Sequence, residues 1–199
     1  MDFSITSGLI LISSYLLGSV PFGLVITRLG GLGDIREIGS GNIGATNVLR
    51  TGRKDLAIAT LVLDAGKGAI AVLVTAHMLD TPSLAAAAGM ATFIGHCFPV
   101  FLKFNGGKGV ATFFGTVFAI SWVLGLTVGA VWLLTAVIFR MSSLAGLTAA
   151  LAAPIIGFVI LVSNSWIFLT AMTVVIFVRH RENIGRILAG TESKIGKKK

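Results

Sequence analysis

Three polar segments interrupt an otherwise apolar chain, and each sets Arg or Lys beside Gly, Ser or Asn. The first, Gly39-Ser40-Gly41-Asn42-Ile43-Gly44, supplies unhindered N–H groups, a hydroxyl and an amide, and continues through Thr46, Asn47 and Arg50. Such residues can form an anion nest; they equally suit a turn in which Ser40 or Thr46 caps a helix. The six residues match the dinucleotide pattern G-x-G-x-x-G, but that pattern has meaning only between the strand and helix of a βαβ unit, and no sheet is in prospect here. The second segment, Asn105-Gly106-Gly107-Lys108-Gly109, precedes an apolar helix. Its amides, the helix N-terminus and Lys108 would gather positive charge at one spot, as a phosphate requires. It lacks the first glycine and the Ser/Thr of a Walker A loop, and a glycine turn carrying one lysine is its plainer interpretation. The third, Arg179-His180-Arg181-Glu182-Asn183-Ile184-Gly185-Arg186, holds more than a basic membrane flank needs: His180 titrates near neutral pH and suits a base, and Glu182 can orient arginines.

Asp64 and Lys67 lie three apart within an apolar run, on one helical face. Charges there are costly, so they face either each other as a link between helices or a substrate. His96 precedes Cys97-Phe98-Pro99. Cys97 is the one cysteine, which excludes an intrachain disulfide and a zinc site built on several thiolates; no metal is expected. Several cationic clamps on one face call for one or two substrates that carry phosphate.

The elements that must position these residues are membrane helices. Of 199 residues 55% are hydrophobic and only 12% charged, with a mean hydropathy of +0.94, whereas a soluble domain carries about 25% charged residues. A net charge of +8 would suggest nucleic acid for a soluble protein; here it points to topology and to anionic substrates or lipids, not nucleic acid. Apolar runs cover 5–29, 56–78, 83–101, 110–121, 123–139, 143–161 and 165–178. Met1 and Asp2 open the chain without a basic n-region, so the first run is expected as one retained helix. Seven crossings with the N-terminus outside put every Lys and Arg except Lys67 on one side, a positive-inside pattern. The expected fold is an all-α integral membrane protein of about seven transmembrane helices, with glycine-rich loops and the C-terminus cytoplasmic. It is a single unit over 1–199 that ends in a basic cytoplasmic tail from about 191, of which Lys197 to Lys199 are expected to be solvated. The weak point is 110–139, where two crossings get about 15 residues each, roughly 22 Å of helix against the 30 Å needed. Either the bilayer thins or these segments are partial.

Four stretches carry a resemblance: GSGNIGATNVLRTG (39–52), LDAGKG (63–68), GHCFPVFLKFNGGKGVAT (95–112) and RHRENIGR (179–186). They resemble the bacterial acyl-phosphate-dependent glycerol-3-phosphate acyltransferases, the PlsY family, in the same order and over essentially the whole chain. The resemblance implies transfer of a fatty acyl group from acyl phosphate to the 1-hydroxyl of sn-glycerol 3-phosphate. Lysophosphatidic acid and phosphate are the products, in the first acylation of phospholipid biosynthesis. It further implies a multi-pass enzyme of the bacterial cytoplasmic membrane, monomeric and cofactor-free, with its site on the cytoplasmic face and membrane lipid around it. By the family's motifs Ser40, Arg50, His180 and Asn183 are catalytic, Gly106, Gly107, Lys108 and Gly109 form the glycerol 3-phosphate loop, and Glu182 is more structural. Asn42, Thr46, Asn47, Lys67, His96 and Asn105 complete the expected substrate contacts, and Asp64 is expected to be structural. Acyl phosphate is already activated and no neighbour in sequence activates Ser40, which favours Ser40 as an oxyanion or phosphate donor over a nucleophile. A secondary transporter for a small phosphorylated solute is the alternative; the one-sided placement of the polar motifs speaks against it.

Overall fold

A chain with so few polar side chains must satisfy its backbone within each segment, and in lipid that means helices. The computed structural model describes residues 4–161 and 163–196, so the expectations for Met1, Asp2 and Lys197 to Lys199 lie outside the described residues. The helices are α1 (Ile5–Ser19), α2 (Phe22–Leu29), α3 (Ala45–Leu49), α4 (Lys54–Leu79), α5 (Pro82–Cys97), α6 (Val110–Ile120), α7 (Trp122–Phe139), α8 (Ser142–Ile160), α9 (Trp166–Arg179) and α10 (Arg181–Leu188), with 3-10 turns at Ile35–Glu37 and Val100–Leu102. Local chemistry sets several boundaries. Ser4 Oγ accepts from Ser7 N–H to cap α1, Asp80 in the left-handed conformation ends α4, and Pro82 opens α5.

Large apolar side chains such as Leu133, Ile155 and Phe158 face outward, while small residues hold the helices together. A Cβ on Gly18 would lie 2.0 Å from the Thr92 carbonyl oxygen, and one on Gly95 2.2 Å from that of Tyr15, so the α1 and α5 backbones touch. Gly115 and Ala65 bring α6 equally close to α4. Lipid offers no hydrophobic drive between helices, and this intimate packing supplies the cohesion instead. The main core joins α5 to α9 through Phe93, Phe113, Leu124, Leu169, Met172 and Ile176. A smaller one, Leu24, Ile35, Ile43, Val48 and Ala57, seats the 30–52 segment on α2 and α4.

Among the described residues, five stretches are long and apolar enough to cross a membrane: Ile5–Leu29, Lys54–Leu79, Pro82–Leu102, Trp122–Phe139 and Ser142–Ile160; Val110–Ile120 and Trp166–Arg179 are shorter. Two expectations are corrected. The single helix over 5–29 is broken at Val20–Pro21, because Pro21 has no N–H to give. The break is filled by Lys67 Nζ, which donates to the carbonyls of Gly18 (2.9 Å) and Val20 (3.0 Å). The two halves of 110–139 are unequal, with 11 residues in α6 and 18 in α7. The loop before α6 is inset: a Cβ on Gly109, at φ +83°, would lie 2.1 Å from the Phe93 ring and 2.9 Å from Cys97 Sγ, so the helix starts beside the last turns of α5. The start of the basic tail is anchored, although most of its side chains are exposed. Ile195 N–H donates to the Arg140 carbonyl (2.6 Å) and Thr191 N–H to that of Arg186 (2.8 Å), folding this segment back across the bundle.

Candidate active site

In the first polar segment Asn47 does the local work. Its Oδ1 accepts from Ser40 N–H (2.9 Å) and Ser40 Oγ (3.2 Å), and its Nδ2 donates to the carbonyls of Ile35 and Ile38. All four bonds of the amide are thus spent on the loop, so Asn47 holds Ser40 in place and is not free for a substrate as expected. Asp34, gripped by Arg36 and then Arg28, braces the same segment and is kept ionised far below the usual carboxylate range.

The glycine loop is tied to two neighbours. Gly106 and Gly107 N–H groups donate to the Cys97 and His96 carbonyls, and Arg179 reaches across with Nε to the Gly107 carbonyl (3.0 Å) and Nη2 to that of Gly106 (2.5 Å). Gly107 lies edge-on to His96, where a Cβ would stand 2.1 Å from Nε2. The turn therefore delivers Lys108 into the interior, and Lys108 Nζ donates to Asn183 Oδ1. Burial, with Arg186 nearby, lowers the Lys108 pKa from its ordinary value.

His180 ends α9 and is 3% exposed. Its Nδ1 is 2.8 Å from the Ile176 carbonyl, which can only accept, so Nδ1 carries the proton and Nε2 is left as an acceptor. Burial pushes the imidazole down to about 4, which keeps it neutral at physiological pH. Asn183 Nδ2 donates to Glu192 Oε1 (2.6 Å), and Arg50 Nη2 donates to Ser193 Oγ (3.0 Å).

These side chains share one cavity of about 630 Å³. Ser40, Asn42, Thr46, Asn47 and Arg50 line it from the first segment, Asp64 and His96 from α4 and α5, Lys108 and Gly109 from the loop, and His180 and Asn183 from the C-terminal motif. Asn42 Oδ1 is buried without a hydrogen-bond partner among the described residues. Leu61, Phe114, Phe118 and Trp132 give the lining an apolar part. Gly106 and Glu182 line a smaller adjoining recess of about 250 Å³, to which Ser40, Asn42 and Lys108 also contribute.

Three expected contacts fall elsewhere. Asn105 is exposed and bonds the Lys103 carbonyl, Gly107 is occupied by Arg179 and His96, and Lys67 is saturated. Besides the two carbonyls at the helix break, Lys67 pairs with Asp64 Oδ1 at 3.0 Å, with side-chain exposures of 1% and 3%. Its three donors are used, and it ties α4 to the α1–α2 break instead of binding an anion. Conversely, the cavity includes Ser143, Arg186 and Glu192, which were not singled out from the sequence. Ser143 had only its place at a helix start, Arg186 its place in the C-terminal motif, and Glu192 no signal beyond being an acid in a basic tail.

A helical membrane protein whose cavity is lined by cations, amides and a neutral imidazole together with apolar side chains is suited to an amphiphilic anion. A family model for glycerol-3-phosphate acyltransferase matches residues 8–190. Glycerol-3-phosphate acyltransferases of Dinoroseobacter shibae and Caulobacter vibrioides are 60% identical over 188 residues and 57% identical over 200, covering 94% and 98% of this chain and 92% and 90% of theirs. Two crystal structures of PlsY (YgiH), an integral membrane glycerol 3-phosphate acyltransferase, superpose with TM-scores of 0.90 and 0.88 at 40% and 39% identity, over 96% of each chain. One is the glycerol 3-phosphate form and the other the lysophosphatidic acid form. The chain belongs to the glycerol-3-phosphate acyltransferase family and is an acyltransferase of the membrane.

Proposed function

We propose that the chain transfers a fatty acyl group from acyl phosphate to the 1-hydroxyl of sn-glycerol 3-phosphate, forming lysophosphatidic acid and inorganic phosphate. The observation that carries this is the meeting of Arg50, Lys108, His180 and Asn183 with apolar side chains in one cavity. The hydroxyl oxygen attacks the acyl carbonyl carbon and forms the ester bond. The bond from that carbon to the phosphate oxygen breaks, and phosphate leaves with the electron pair. Because the donor is a mixed anhydride with a good leaving group, the protein has to hold two anions, align one hydroxyl and stabilise an oxyanion.

Lys108, Arg50 and the outer nitrogens of Arg186 hold phosphate. His180 Nε2 accepts the hydrogen bond of the 1-hydroxyl and aims it. A group at about 4 is too weak a base to keep that proton, which passes to the departing phosphate. Ser40 Oγ–H turns from Asn47 Oδ1, which keeps the Ser40 N–H, to the developing oxyanion, and the amide of Asn42 serves it too, with Thr46 and Gly109 beside them. The acyl chain lies along Leu61, Phe114, Phe118 and Trp132, open sideways to lipid.

The seven apolar helical segments act as seven crossings, with the N-terminus outside and the cavity on the cytoplasmic face of a bacterial inner membrane. The one-sided distribution of Lys and Arg supports that orientation. The chain works as a single unit and as a monomer. Incubating purified protein with acyl-labelled acyl phosphate and glycerol 3-phosphate tests the function: labelled lysophosphatidic acid is expected, and its absence with folded protein would refute the assignment of the donor.

A further inference from the structure

Glu192 is an acid in a cavity of cations, on a segment that its composition assigns to solvent. Its side chain is 4% exposed. Oε1 accepts from Ser143 Oγ at 2.7 Å and from Asn183 Nδ2 at 2.6 Å, and Oε2 accepts from Arg186 Nε at 2.7 Å. One carboxylate thus joins α8 to α10 across the cavity. Burial would raise its pKa, but the bonds from Ser143, Asn183 and Arg186 outweigh burial and hold it below the ordinary value.

The bond to Asn183 has a directional consequence. A carboxylate only accepts, so it draws the NH₂ of the amide, and Asn183 Oδ1 is turned toward Lys108, whose ammonium only donates. With the amide reversed, its NH₂ would face the ammonium and an oxygen would face the carboxylate. Glu192 also neutralises Arg186, whereas Lys108 and Arg50 have no carboxylate partner within salt-bridge distance among the described residues. The segment is held in register by Arg140, which exchanges bonds with Ile195 in both directions (2.6 and 3.2 Å), and by Arg50 on Ser193. Glu192 lies beyond the residues 8–190 matched by the family model.

We propose that Glu192 is a positioning residue for recognition of glycerol 3-phosphate: through Asn183 it orients Lys108, and with Ser143 and Arg186 it fixes the cationic wall of the cavity. It touches no substrate itself. The proposal rests on the acyl-transfer function given above and deepens it.

The test is steady-state kinetics of purified Glu192→Gln and Glu192→Asp beside wild type in one detergent. Removing the charged acceptor from three donors should raise the KM for glycerol 3-phosphate about tenfold or more in Glu192→Gln. The KM for acyl phosphate should stay within about twofold of wild type, since a general loss of structure would move both. Glu192→Asp keeps the charge with a shorter reach and should fall between. Independently of turnover, the rise in unfolding temperature on adding glycerol 3-phosphate should shrink in Glu192→Gln relative to wild type. If Glu192→Gln does not fold, the same two measurements on Glu192→Asp decide. An unchanged KM for glycerol 3-phosphate in a folded variant, or parallel rises in both KM values, would overturn the role of Glu192 alone. A wild-type protein that forms no lysophosphatidic acid would overturn the function on which the proposal rests.

Discussion

At His180, one backbone contact decides the chemistry of the ring. The Ile176 carbonyl fixes the proton on Nδ1, and burial makes protonation of Nε2 unfavourable. An NMR titration of His180 should therefore show a midpoint of about 4, against about 6.5 for a free imidazole; a midpoint near 6.5 would remove the basis for a neutral acceptor. Ser40 is held by an amide oxygen, which is no base, so its hydroxyl is not activated for attack. As a donor to the oxyanion it should cost roughly 10²-fold in rate when replaced in Ser40→Ala, measured as lysophosphatidic acid formed per minute; a loss of twofold or less would exclude that role. Ser40, Arg50, Lys108, His180 and Asn183 were legible in the sequence because such residues stand out in an apolar chain. Asn47 and Lys67 were misassigned for a physical reason: the carbonyls that saturate them become available only once a loop has curled or a helix has broken elsewhere. Glu192 was missed because an acid among tail lysines looks solvated until the segment folds back.

Helix positions follow hydropathy closely, since each run must bury its backbone, and the beginnings and ends of α4, α5 and α8 lie near the apolar boundaries. Discontinuities are harder to see. Pro21 marks the break in the first span, yet nothing in sequence says that Lys67, 46 positions later, donates to the carbonyls exposed beside the break. Likewise α6 is short because the glycine loop is inset against Phe93 and Cys97, a tertiary fact. The Lys67 ammonium thus joins α4 to the α1–α2 break, and Lys67→Met would leave Asp64 buried with only His96 Nδ1 at 3.5 Å beside it and would take from the Gly18 carbonyl its side-chain donor, while the Val20 carbonyl keeps the Phe22 N–H. Loss of one partner of a buried pair is expected to destabilise by about 3–5 kcal/mol, read as a fall in unfolding free energy in detergent. A loss below about 1 kcal/mol would mean that the break is satisfied in some other way.

For the molecule as a whole, the proposed seven crossings gather Lys and Arg on one side, and the proposal places the cavity on that side. Cys97 is the sole cysteine and is buried, so single cysteines introduced elsewhere report without background. In intact cells cysteines at Arg53 and Arg181 should be protected from an impermeant thiol reagent and one at Asp80 should react. Labelling at Arg181 from outside would reverse the orientation. In the proposed reaction two phosphate-bearing substrates meet in one cavity and the acyl group passes directly between them. Rapid-mixing measurement of phosphate release from acyl phosphate tests it most directly. Without glycerol 3-phosphate, release should remain at background with no burst; with it, phosphate and lysophosphatidic acid should appear together, mole for mole. A burst of phosphate equal to the enzyme concentration before any acceptor is added would contradict direct transfer and establish an acyl-enzyme instead.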